Sequence, residues 1–242
     1  MAEIIPIAKK IESVRDMFET RKGELAKLLP QHIPADRLVR CAIDAIITNP
    51  KLLDCTKISL YGALLECASL GLEPGVAGQC WIIPYGQKAT FIPGYRGLAQ
   101  LAYRSLKVQG IMARVVYAKD RFSYKMFPPE LEHEAERSSD RGERVAAYSA
   151  VMMDGMWFWH VMEAHEIERI KRRSAAAQKK ESPWNHPEDE SEMWKKTVFK
   201  QHAKLLPMSV EDRSLARAIQ LADQAESGLD QHLEVAEAEE ST

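Results

Sequence analysis

Three features of the sequence predict an α+β fold, with a helical N-terminal region, a central antiparallel sheet of hairpins with a packed helix, and C-terminal helices. Apolar residues recur at helical spacing over roughly the first seventy positions. The middle of the chain holds paired β-rich runs around glycine turns. Helical spacing returns after residue 163.

Residues 10–29 and 35–48 mix apolar and charged side chains at helical intervals, and Pro30, Pro34 and Pro50 punctuate them. Ser59–Leu70 is a further helix, with Leu60, Leu64 and Ala68 on one face and Gly71 placed to stop it. Residues 80–93 read as two strands around Tyr85-Gly86-Gln87-Lys88. Pro84 and Pro93 confine those strands to edges or ends. A helix is expected over 95–107, a strand over 111–117 and a short strand over 120–124. Residues 126–143 read as a charged loop. Residues 144–151 and 156–162 pair about the turn Met153-Asp154-Gly155. A helix over 163–173, a mobile connector from Ser174 to Pro187 and a helix over 188–206 complete the pattern. Beyond Gly228 an acidic, disordered tail is expected. The domains expected are a helical lobe over 1–78, an α+β core over 79–207 and a tail over 208–242.

At 242 residues, 45% hydrophobic and 28% charged, the composition excludes a wholly disordered chain. No window approaches eighteen uninterrupted apolar residues, so no membrane span is expected, and the N-terminus lacks a signal-peptide pattern. Cys41, Cys55, Cys67 and Cys80 form no CxxC pair, which suits reduced thiols in the cytoplasm. The net charge of −2 hides an asymmetry. Residues 86–204 carry 21 Lys and Arg against 16 Asp and Glu, whereas residues 205–242 carry 2 against 9. A basic body of this kind suits nucleic acid as a partner.

Several chemistries lack their motifs. No P-loop or dinucleotide-binding glycine pattern is present, no Asp or Glu is followed by x-Lys, and neither H-E-x-x-H nor G-x-S-x-G occurs. Gly94-Tyr95-Arg96-Gly97 opens a helix, but two glycines are a weak anion signal. His160 reads as a packed, hydrogen-bonded histidine. No catalytic residue, metal ligand or cofactor is therefore nominated. A metal-dependent nuclease remains as an alternative, because catalytic groups need not be adjacent in sequence. A scaffold that only oligomerises is another.

Two helix faces carry the basic signal. Arg96, Gln100, Tyr103 and Lys107 share one face of the 95–107 helix, with Arg104 at its edge. The cations could neutralise phosphates and the tyrosine could stack on an unpaired base. A solvated face with an incidental tyrosine fits the same spacing. Lys196, Lys200 and Lys204 follow i, i+4, i+8 with no carboxylate among them, a self-repelling stripe that a polyanion would relieve. Reversing Lys196 and Lys200 to glutamate is accordingly expected to spare folding. Arg114 alternates with apolar neighbours on its strand, and Lys88 sits at a hairpin tip. Trp157 and Trp159 share a strand face and are expected in the core. Trp184, in the connector, is harder to place there.

Gly71-Leu72-Glu73-Pro74-Gly75, then IIPYG, IPGYRGLAQLAYRS and ARVVYAKDRFSY, resemble the RecT family of phage-type recombinases. So does the block from Trp184 through MWKKTVFKQHAKLLPMS at 193–209. The likeness runs from about Leu28 to Ser209. It implies an ATP-independent, non-enzymatic protein that binds single-stranded DNA, anneals complementary strands and holds the annealed duplex. It also implies homo-oligomeric rings or helical filaments, an exonuclease partner from the phage, and a phage or prophage origin in the bacterial cytoplasm. Carried onto this chain, the resemblance covers Tyr95, Arg96, Gly97, Arg104, Ser105, Arg114, Lys196 and Thr197. Leu106 departs from the glycine usual after arginine-serine. Gly110 could take over that stop, which would lengthen the helix. The pattern is also blurred over 126–143.

Overall fold

A computed structural model describes residues 6–104, 107–178, 180, 182–206 and 213–231. The chain forms two compact units. One holds the residues up to Leu98 with Gln220–Ala225 and the stretch from Leu229. The other holds Ala99–Ile219 with Glu226–Gly228.

In the first unit, α1 (Ile7–Thr20), α2 (Lys22–Leu28), α3 (Ala35–Thr48) and α4 (Lys57–Leu70) precede a hairpin of β1 (Cys80–Tyr85) and β2 (Lys88–Pro93). Helix α4 is apolar all round and buries Leu60, Tyr61, Leu64, Cys67 and Leu70, as a central helix must. Thr56 caps its start by accepting the Ser59 amide at 3.2 Å. Gly71, at φ 58°, ends it in the left-handed conformation open to glycine. The β1–β2 pairing runs from Cys80↔Pro93 to Tyr85↔Lys88. Cys67 and Cys80 lie with sulfurs 3.8 Å apart as free thiols, and burial first, then the neighbouring Cys67, pushes the Cys80 thiol well up.

The expected antiparallel strands and hairpins are present, and among the described residues they fall into three sheets. After α5 (Tyr95–Tyr103) come β3 (Val108–Tyr117), β4 (Arg121–Lys125), β5 (Glu130–Glu134), β6 (Arg144–Met153) and β7 (Met156–Glu163). Strands β3, β6 and β7 form an antiparallel sheet in the order β3-β6-β7, and β4–β5 is a separate hairpin. Strand β5 corrects the loop expected over 126–143. Its three glutamates face Lys125, Ser123 and Arg121, so opposite charges pair across the strands at both ends. Its other face turns Leu131 inward beside Phe122 onto Val116, Ala146 and Tyr148.

Asp120, in the turn before β4, fastens this region. It accepts the Tyr117 and Glu136 amides and the Arg141 guanidinium, and its carboxylate meets His133 at 3.1 Å. Burial alone would raise its pKa, but Arg141, those two amides and His133 together hold it far below the carboxylate range.

Helices α6 (Ala164–Arg173), α7 (Pro187–Ala203) and α8 (Ser214–Glu226) follow. The described part of the connector expected to be mobile includes a built turn. Ser182 caps a short turn at Pro183–Asn185 that buries Trp184 to 2% exposure. Trp184 is thus core. Trp157, expected in the core, is exposed instead. His160 is half-buried, with its ring 6.1 Å from that of His202, which meets the Ser149 hydroxyl at 3.1 Å. The tail expected to be free beyond Gly228 begins with a fixed segment. Gln231 accepts the Phe91 amide at 2.9 Å and donates to the Phe91 and Leu221 carbonyls at 2.7 and 2.9 Å. Residues 232–242 lie outside the described residues, as do Ser105, Leu106 and Pro207.

Candidate nucleic-acid interface

In the first unit the candidates lie at the two ends of the β1–β2 hairpin. At one end the chain leaves β2 through Pro93 into Gly94-Tyr95-Arg96-Gly97. A Cβ on Gly94 would strike the Gly78 carbonyl and the Trp81 ring, and one on Gly97 would strike the Gln79 carbonyl. The two glycines are therefore required by close backbone approach. That packing leaves Arg96 exposed, donating to the Ala77 carbonyl at 3.3 Å, with Tyr95 half-buried beside it. Trp81, 42% exposed, lies near the Arg96 stem. The alternation Cys80 in, Trp81 out, Ile82 in could have singled Trp81 out, and sequence reasoning missed it. At the other end Lys88 is exposed and forms an ion pair with Asp230.

In the second unit α5 ends at Tyr103, short of the expected 107. Tyr103 stays exposed, and its hydroxyl accepts the Ile111 amide of β3 at 3.0 Å. Arg104 is half-buried in a turn, and Lys107 and Arg114 are exposed. The wheel expected to carry Lys107 on the same helical face as Arg96 therefore does not form.

Helix α7 corrects the lysine stripe most. Lys204 is exposed just past its end, Lys196 is half-buried, and Lys200 is 1% exposed. Thr197 is buried as well, at 2%. Lys200 forms an ion pair with Glu226, the last residue of α8. Burial lowers the Lys196 pKa, with Glu226 opposing that shift and Lys200 adding to it. The missing carboxylate of the stripe thus arrives from twenty-six residues downstream. No i, i+4 rule applied to α7 could have found it.

The RecT family model matches residues 36–239. This chain belongs to the RecT family. Protein RecT of Escherichia coli (strain K12) is 35% identical over 201 residues, covering 78% of this chain and 73% of that protein. Membership makes this a recombination-related protein. The RecT match extends past Ser209, the end of the motif resemblance, and so includes α8, Glu226 and the Gln231 anchor. Among the described residues of this RecT-family chain, no group of three or more His, Cys, Asp and Glu could hold a metal ion. No described helix is long and apolar enough to cross a membrane.

Proposed function

We propose that this protein binds single-stranded DNA without ATP and anneals complementary strands during recombination, without catalysing a covalent step. Membership of the RecT family is the observation that carries this reading. The charge distribution supports it, because the basic excess lies over residues 86–204. Lys88, Tyr95 and Arg96 in one unit, and Tyr103, Arg104, Lys107, Arg114, Lys196 and Lys204 in the other, are the proposed DNA contacts. Lys200 and Thr197, both buried, serve instead to seat α7.

The mechanism needs only electrostatics and alignment. Cations hold the phosphates of one strand and release counterions, leaving base edges free for a complement to test. Pairing specificity then resides in the DNA. The protein acts as a homo-oligomeric ring or helical filament that retains the annealed duplex, alongside an exonuclease that exposes the single strands. Gel shifts with single-stranded oligonucleotides, repeated with and without ATP and magnesium, test the binding step. Retention independent of ATP is expected, and no retention at low salt would refute it.

A further inference from the structure

On one face of the β3-β6-β7 sheet, cross-strand register places Gly110, Met152 and Trp157 in a row. Met112, Ala150 and Trp159 form the next row, and Arg114, Tyr148 and Val161 the one after. The β4–β5 hairpin covers the far end of this face, where Phe122 stacks on Tyr148 with ring centroids 5.8 Å apart. Its Tyr124 reaches Trp159 edge-on at the same separation. At the near end Trp157 is 44% exposed.

Gly110 explains how so large a ring is held. A Cβ at Gly110 would lie 3.2 Å from the Trp157 ring and 3.5 Å from the Met152 side chain. The absence of a side chain on β3 thus gives the indole a seat, while the residue stays 44% exposed. One exposed cation stands further along the same strand and another just before it begins. Arg114, on this face, is four residues on, about 13 Å at a strand's rise, and Lys107 immediately precedes the strand. Both are exposed. An exposed, seated aromatic ring between two exposed cations complements a chain that alternates phosphate with unpaired base.

We infer that Trp157, seated on Gly110 and flanked by Lys107 and Arg114, is a base-stacking site for single-stranded nucleic acid. This inference rests on the reading of the protein as a single-strand binder, and adds a contact that does not depend on charge. Stacking tolerates any base, so the site adds affinity without sequence preference.

The test uses the full-length protein, an oligothymidylate and the same oligomer with abasic sites. Wild-type protein should show indole fluorescence quenching with the base-bearing strand and little with the abasic strand, which keeps every phosphate. Trp157→Ala should lose that quenching and bind roughly tenfold or more weakly. Its salt dependence should match the wild type, because no phosphate contact is removed. Trp157→Phe should recover most of the affinity. Wild-type protein that quenches equally with abasic DNA overturns the inference, whatever the variants do. So does a Trp157→Ala protein that binds and quenches as wild type does. If Trp157→Ala changes only the sedimentation of the oligomer and leaves base-dependent quenching intact, the patch is a contact between copies and the inference falls. Wild-type protein that retains no single strand at low salt refutes the function itself, a result distinct from all of these.

Discussion

Reversing Lys200 to glutamate will unfold or severely destabilise the protein. The Lys200 side chain is 1% exposed and that of its partner Glu226 is 23% exposed. Stripping one member from a buried ion pair costs about 3–5 kcal/mol, because the other charge is left desolvated. The reversal goes further and sets two carboxylates together where α7 meets Glu226, so about 4 kcal/mol is a lower working figure. Against the about 5–15 kcal/mol that holds a domain together, this is a large fraction. At about 3 °C per kcal/mol for a chain of this size, the melting temperature should fall by about 12 °C. Circular dichroism melts of Lys200→Glu, beside Lys107→Glu as an exposed control, measure it. The control should stay within about 0.5 kcal/mol of wild type. The swap Lys200→Glu/Glu226→Lys should recover part of the loss, which a purely steric defect would not. A Lys200→Glu protein melting within about 2 °C of wild type would refute the burial of this pair and return Lys200 to the exposed stripe expected from sequence.

Other expectations concern pH, the C-terminal anchor and salt. His202 is 3% exposed and its pKa is lowered to about 4, by burial first and then by His160. An unfolded histidine takes its proton near 6.5, so this site's stabilisation is complete above pH 6.5 and is lost as pH falls toward 4. The loss should approach about 3 kcal/mol in urea midpoints converted to free energy, and His202→Gln should flatten it. Equal slopes in the two proteins between pH 6.5 and 4 would contradict the assignment. Gln231→Ala leaves the buried Phe91 amide and carbonyl unpaired, at about 2–4 kcal/mol, so unfolding should come at markedly lower urea. An unchanged midpoint would mean that Gln231 does not anchor the chain beyond Gly228. Five to seven phosphate contacts predict a slope of log binding constant against log salt of about −3.5 to −5, and a slope shallower than about −1 would leave the exposed cations as ordinary solvated surface.

The sequence legibly carried what depends on neighbours in the chain. Gly71 stopping α4, the turn at Gly86 and the pairing about Asp154-Gly155 are local chemistry, and each stands where expected. What it hid depends on distant partners. Lys200 reads as one of three like charges until Glu226 is brought to it, and Trp184 reads as stranded until α7 and its connector fold over it. Strand β5 was obscured because its glutamates outweigh Leu131 in any local count, although opposite charges on β4 answer two of them. Trp157 was misplaced for the converse reason. Period-two alternation gave its face correctly, but only the extent of the β4–β5 hairpin decides that Trp159 is partly covered and Trp157 is not. Among the candidate site residues, Arg96 and Arg114 are exposed, and Arg114 stands on the edge strand β3.

The central claim is that this RecT-family protein anneals complementary strands without nucleotide. A strand-annealing assay with two complementary labelled oligonucleotides, long enough to span several protomers, tests it most directly. Single-strand binding is followed in the same samples, with ATP absent and magnesium varied. The account predicts pairing well above the spontaneous rate, unchanged by added ATP, with strands that remain intact. Pairing at the spontaneous rate despite full binding, pairing that requires ATP, or cleavage of the strands in magnesium would each contradict it.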